Sequence, residues 1–290
     1  MDFSEYTLVS FGDSFTFGQD TVPKHDTSDK DIRPVQIQYK IDCNNLSYTK
    51  ILADNLGFKD SINFGSMASS NEKQLMLLDS FLRSNSTSKI FVLFNFTHSH
   101  RYVQFLKVNN EKKYEIVDIT PVTPFKKNYF TGIDSKSIDH NYAIFRNSIQ
   151  DVYNHVKDRR MLYYMLASYN VPHVTFDILN DIDAHMLRDN PIKYIDSFNK
   201  SPNSSDEESL NFLKSYRQEL VDKSPFLCHI GIDELEGHTN LTRYLNSKAK
   251  CEYGDENYYT EQRWAGGHWS SEGHIEVAKL IEKYINKNHN

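Results

Sequence analysis

Cysteine is scarce in this 290-residue chain, which has only Cys43, Cys228 and Cys251. Three thiols so far apart build no disulfide framework, and no Cys-x-x-Cys pair is present to clamp zinc. A reducing, cytoplasmic setting is the expectation. Long apolar runs are missing as well: the most apolar segment, Ile90 to Phe96, is far shorter than the roughly 20 residues a helix needs to cross a bilayer. No membrane span is expected. The N-terminus, Met1-Asp-Phe-Ser-Glu-Tyr6, lacks the basic stretch and apolar run of a secretion signal. Basic charge is in deficit too, with 33 Lys and Arg against 39 Asp and Glu and a net charge of −6. Nucleic acid and anionic lipid both require a concentrated basic surface, so a small or neutral substrate is expected and a nucleic-acid partner is not. No internal repeat is visible.

What is there is enough apolar material, 39% of residues, for a core in one large α/β domain or two small ones. The first half alternates short apolar runs with amphipathic ones, the pattern of βαβ units. Thr7 to Phe11 reads as a buried strand, followed by a polar loop rich in Asp and Lys. Ser47 to Gly57 reads as a helix with Ile51, Leu52 and Leu56 on one face and Gly57 as its stop. A strand ends near Asn63, a second helix runs from Asn71 to Leu82, and Lys89 to Phe96 is an inner parallel strand. Val103 to Ile119 looks like a hairpin turning at Asn109-Asn110, within an insertion of about 103–141. A long helix is predicted over Tyr142 to Tyr169 and a strand over Val171 to Ile178. The stretch 180–262 reads as a second, irregular insertion with a loop at Ser201 to Glu208. Such inserts shape a pocket or bind a partner. A last helix is capped by Ser270 or Ser271, with Ile275, Ala278, Ile281 and Ile285 as its inner stripe.

In Val9-Ser-Phe-Gly-Asp-Ser14-Phe-Thr-Phe-Gly18 a buried strand runs directly into a serine. The end of a parallel strand is where an α/β sheet presents ligands, and Gly12 would let the backbone turn sharply there. Taken alone, Ser14 is either a nucleophile or the cap of a helix. As a nucleophile it needs a base to take its proton. Among twelve histidines, His268 in Gly266-Gly-His268-Trp-Ser-Ser-Glu-Gly-His274 sits in a Gly-rich turn before the last helix, from which it can reach a crevice. His274, one turn inside that helix, reads as a packing residue.

Together these segments resemble the SGNH (GDSL-like) hydrolase family. Gly12-Asp13-Ser14 is similar to its nucleophile block and His268-x5-His274 to its His-Pro-x-x-x-Gly-His block. Asn63-Phe-Gly-Ser-Met-Ala68-Ser-Ser-Asn71 is similar to its Asn-x-x-x-x-Gly block, in the Gly-Ser-Ser-Asn version of bacteriophage-encoded members. Phe91 to Arg101 lies where the block bearing the family's Asn belongs, and is close to a Trp-Thr-x-x-x-Arg variant. The resemblance implies a single domain over 1–290, a flavodoxin-like three-layer α/β/α sandwich with a central parallel sheet, Ser14 and His268 as catalytic residues, and no cofactor or metal. It further implies an oxyanion hole made by the N–H groups of Ser14 and Ala68, with Thr97 or Asn95 as the third donor. A phage gene would put the protein in the host cytoplasm.

The sequence departs from the pattern at informative places. Ala68 replaces a glycine, which is harmless unless that backbone needs φ > 0. Asn95 and Thr97 either donate to an oxyanion or simply finish a strand. Ala265 stands where the family places the aspartate that orients the histidine, leaving Glu261, Asp255 and Glu256 as upstream acids, or a main-chain oxygen. Asp13, Asn71, Arg101 and Trp269 are candidate substrate contacts. Arg101 would clamp an anionic group or make an ion pair, and Trp269 would wall the crevice or pack in the core. His98 and His100 lack a carboxylate or thiol at metal-binding spacing. Three functions fit: hydrolysis of an acetyl or short-chain acyl ester on a glycan, lipid or small molecule; a weakened site in a binding or virion-associated protein; or acyl transfer through the same Ser-His pair.

Overall fold

The structure, a computed structural model, describes residues 1–19, 21, 32–97, 101–107, 114–119, 148–178, 228–231, 233–238, 240–260 and 268–289. Its strands are β1 (Thr7–Phe11), β2 (Asp60–Asn63), β3 (Ile90–Phe96), β4 (Tyr102–Lys107), β5 (Tyr114–Ile119), β6 (His173–Asp177) and β7 (His229–Ile230). Its helices are α1 (Ser14–Phe17), α2 (Ile32–Asn45), α3 (Tyr48–Leu56), α4 (Asn71–Ser84), α5 (Ser148–Tyr169), α6 (Leu241–Tyr253) and α7 (Ser271–Asn288).

Five strands form one parallel sheet in the order β2-β1-β3-β6-β7. Counting sheet strands alone, this is the 2-1-3-4-5 order of flavodoxin-like folds. Side chains alternate across each strand, so successive residues go to opposite layers. Leu8, Phe91, Leu93, Val174, Phe176 and Ile230 pack with residues of α3, α6 and α7. Val9, Phe11, Val92, Phe94 and Phe96 pack with Leu75, Leu78 and Leu82 of α4 and Leu162 and Leu166 of α5. A strand buried on both faces has no polar alternation to show, which is why β3 reads as one apolar run. Each fully buried Leu or Phe contributes about 1.5–3 kcal/mol, so this double core is the main stabilising term.

The α3 helix starts where Ser47 accepts the N–H of Lys50 and stops at the left-handed Gly57. β4 and β5 pair as a separate antiparallel ribbon, and the expected Asn109-Asn110 turn lies outside the described residues. So do most of the two predicted insertions, Ser201 to Glu208 included. Among the described residues, no helix is long and apolar enough to cross a membrane, and none of the three cysteines is in a disulfide.

Three expectations need correction. The loop after β1 contains α2, whose described side chains bury only Cys43 fully, a stripe too narrow to register as periodicity. The stretch 180–262 is not irregular throughout: it carries the fifth sheet strand, β7, and the helix α6, which buries Leu241, Leu245 and Ala249. A two-residue strand leaves no pattern to read, whereas the i, i+4, i+8 spacing in α6 was visible. On α7, Ile275 is 40% exposed; the buried stripe is His274, Val277, Ala278, Ile281 and Ile285, because a period of 3.6 carries it back from Ala278 to His274.

The ribbon is tied to the helical layer through Glu72, which accepts from the N–H of Val103 and from Lys157. Beside them Asp158 is buried, and burial pushes its carboxyl up to about 7, with Glu72 adding and Lys157 opposing. A raised carboxyl pKa means that the folded state holds a proton the unfolded chain has released, so this group's contribution to stability falls as pH rises from about 4 to 7. Asp158→Asn should therefore leave stability near pH 4 unchanged and raise it at pH 8 by on the order of 2–4 kcal/mol. Urea midpoints across that range check this, and an equal shift at both ends would contradict it.

Candidate active site

In a parallel sheet every strand delivers its C-terminal end to the same edge. The chain leaves β1 for β2 on one side and then crosses to β3 on the other, so the end of β1 lies at the topological switch point where α/β sheets open a crevice. Ser14 begins α1 there, one turn long, capped by Asp13, whose carboxylate accepts the N–H of Phe15 at 3.1 Å.

The turn is held from three sides. The N–H of Gly12 donates to Gln74 of α4 at 3.1 Å, and the Gly12 carbonyl accepts from the N–H of Ser66 at 3.1 Å. Gln74 also donates to Ser69 at 2.8 Å, locking the loop that carries Ala68 against the turn that carries Ser14. Asn63 reaches back to the Thr16 carbonyl at 2.6 Å. Gln74 is the residue that sequence reading missed. Its polar character at a position 1% exposed on the inner face of α4 was the available signal, since a buried amide must find partners.

His268 arrives from the far end of the chain, and its Nε2 lies 2.8 Å from Ser14 Oγ across 254 residues of sequence. Its ring packs on Phe15, with centroids 4.9 Å apart. The backbone beside it is fixed by an antiparallel bridge between Thr260 and Trp269 and by the Ser270 N–H donating to the Tyr259 carbonyl at 2.9 Å. Gly273 permits this: a Cβ there would lie 2.5 Å from that same carbonyl oxygen. Ser270 caps α7, accepting from the Gly273 N–H. Within the first turn, His274 Nδ1 accepts the Tyr48 N–H at 3.1 Å, which requires a neutral ring. Burial, reinforced by His268, pushes its pKa down to about 3.

No known family's sequence profile matches this chain. No curated protein matches it either. Distant similarity to solved structures is found. A member of the lipolytic protein G-D-S-L family from Veillonella parvula is 11% identical, with 98% of this chain and 97% of that chain covered and a TM-score of 0.42. For the psychrotrophic esterase EstA from a Pseudoalteromonas species the figures are 11%, 97%, 97% and 0.41. The lipase/acylhydrolase from Enterococcus faecalis gives 14%, 97%, 96% and 0.38.

Around the Ser14–His268 pair, the N–H groups of Ser14 and Ala68 donate to no other group among the described residues. Ala68 is exposed and has φ 57°. The position does require left-handed backbone, and alanine holds it at a cost of about 1–2 kcal/mol. Of the two proposed third donors, Thr97 is already bonded, whereas the Asn95 amide is buried with no hydrogen-bond partner among the described residues. Thr97 Oγ1 donates to Asp13 Oδ2 at 2.5 Å and accepts from Arg101 at 2.9 Å. Asn95 is 1% exposed and both its amide atoms are shut off from solvent. Its Oδ1 lies 1.2 Å from where a Gly12 Cβ would be. Gly12 is thus needed for close packing of that amide; its φ is not left-handed.

The candidate substrate contacts turn inward. Asp13 is fully buried. Asn71 is buried and clasps the backbone of Thr97, accepting its N–H at 2.9 Å and donating to its carbonyl at 3.4 Å. Trp269 is wholly buried among Phe15, Tyr48 and His274, with Nε1 donating to Thr242. Arg101 spends Nη1 on Asp13, Ser69 and Thr97. Asp255 is exposed and accepts from the N–H of Asn257, and Glu256 faces Lys250, so neither bonds to His268. Glu261, Ala265, His98 and His100 lie outside the described residues. Among those described, no group of three His, Cys, Asp or Glu could hold a metal ion.

Two substitutions test the packing of the turn. Gly12→Ala should cost about 3 kcal/mol or more, since the methyl overlaps Asn95 and Thr16; unchanged denaturation would refute the packing argument. Ala68→Gly should gain up to about 1 kcal/mol, the relieved strain less the added backbone entropy, measured as a rise in melting temperature.

Proposed function

We propose that the protein is a serine hydrolase that cleaves a carboxylic ester, of an acetyl or short-chain acyl group on a glycan, lipid or small molecule. The 2.8 Å contact between Ser14 Oγ and His268 Nε2 carries this reading, because an alcohol becomes a competent nucleophile when an imidazole is poised to take its proton. The four sequence blocks that resemble the SGNH pattern support it independently.

Ser14 Oγ attacks the acyl carbon while Nε2 takes the hydroxyl proton. The carbonyl oxygen becomes an oxyanion, held by the N–H groups of Ser14 and Ala68, and collapse of the intermediate expels the alcohol with the proton from Nε2. Water repeats the sequence on the acyl-enzyme, releasing the acid and freeing Ser14. Nε2 must be unprotonated at the start, so Nδ1 carries the hydrogen and needs an acceptor, for which Glu261 or a main-chain oxygen is our proposal.

A fluorophosphonate probe should label Ser14, and Ser14→Ala should abolish labelling. Ser14→Ala and His268→Gln should each lower kcat on p-nitrophenyl acetate by about 10³-fold or more. Full turnover by Ser14→Ala ends the proposal. Product analysis with added alcohols separates hydrolysis from acyl transfer.

A further inference from the structure

The carboxylate beside the nucleophile raises a question of charge. Asp13 is fully buried one residue before Ser14 and accepts from the Phe15 N–H, the Thr97 hydroxyl and Arg101 Nη1, the last at 3.1 Å. For the helix cap alone an uncharged acceptor such as Asn or Ser serves as well. A buried anion this close opposes the negative charge that develops on the substrate oxygen. Arg101, 14% exposed in its side chain, is the cation that faces it.

Its placement is specific. Nη1 binds Asp13, next to Ser14; the carbonyl of Ser69, at 3.2 Å, next to Ala68; and the hydroxyl of Thr97, at 2.9 Å, at the end of β3. One nitrogen therefore joins the three strand-end segments that frame the reacting groups, including the neighbours of both free N–H donors. Buried ion pairs add little to fold stability, because desolvation cancels most of the attraction.

We propose that Arg101 is a positioning residue of this site, which neutralises Asp13 and holds the Ser14 turn, the Ala68 loop and the end of β3 in register so that an oxyanion can form beside a buried carboxylate. This rests on the hydrolase reading above. It assigns Arg101 no contact with substrate.

The test is a double-mutant cycle on p-nitrophenyl acetate, an uncharged ester. Arg101→Gln should lower kcat on the order of a hundredfold with KM changed less than threefold. Asp13→Asn introduced into Arg101→Gln should restore at least tenfold, because removing the anion removes the need for the cation. Circular dichroism and thermal midpoints establish that each variant folds; should Arg101→Gln alone unfold, recovery of both fold and turnover in the double variant carries the same conclusion. Two results overturn the proposal: kcat of Arg101→Gln within threefold of the parent, or a double variant no faster than Arg101→Gln. A variant impaired only in KM for a carboxylate-bearing ester gives the first of these and makes Arg101 a substrate clamp. Fluorophosphonate labelling of the parent keeps the two readings apart: a labelled parent with an unaffected Arg101→Gln removes only the role of Arg101, whereas an unlabelled parent removes both.

Discussion

The constraint on which the site depends is the parallel register of β1, β2 and β3. Ser10 pairs with Asn63 and with Leu93, and Phe11 with Phe94, so the three chains run out of sheet within three residues of one another. The segments that continue from those strand ends must then crowd into one small volume: the Ser14 turn, the Ala68 loop and Thr97. An antiparallel sheet would send alternate ends to opposite edges and bring no such group together. The polar bonds among these segments, from Gln74, Asn71, Asn63 and Arg101, need an apolar sheet beneath them to set the spacing. The order of cause runs from Leu8, Phe91 and Phe94 in the core to the polar rim.

That order explains what could be read from the sequence and what could not. β1, α3, α4, β3 and β6 were legible because they carry short apolar runs, apolar alternation or capped amphipathic stripes, signals that are local, whereas β2, Asp-Ser-Ile-Asn, carries none of these. Ser14 and His268 were legible as types in context, a serine at a strand end and a histidine in a Gly-rich turn. The orientation of individual side chains was not. Asp13, Asn71 and Trp269 occupy motif positions that suggest contact with a ligand, yet each faces inward, because direction depends on which groups the neighbouring strands bring alongside. Gly12 shows the same limit. A glycine in a turn invites an argument from backbone freedom, whereas the need arises from Asn95, more than eighty positions later in the chain.

Charge in the interior obeys a similar logic. His274 and Asp158 are both taken out of water, and burial drives each towards its neutral form, the imidazole downwards and the carboxyl upwards. For His274 the result is useful, since only the neutral ring can accept the Tyr48 N–H. Asp13 is just as deeply buried but is given three donors, one of them a cation, which supply the bonds that water would otherwise make. Burial alone therefore does not decide how a polar group is accommodated at this edge of the sheet; the number and sign of its partners do.

The proposed mechanism also requires that a base from position 268 be held against a nucleophile at position 14. Closing so long a loop costs entropy, but that cost grows only with the logarithm of length and is met by folding as a whole. What matters locally is that His268 should not wander once delivered. Its successor Trp269 is sealed in the core, Ser270 both caps α7 and donates to Tyr259, and His274 pins the first turn of α7 to the start of α3. α7 in turn buries Val277, Ala278, Ile281 and Ile285 in the same cluster as Leu52 of α3 and Phe91 and Leu93 of β3. The imidazole is thus the outer end of a short lever whose fulcrum is core, and the sheet that positions Ser14 also positions the helix that positions His268.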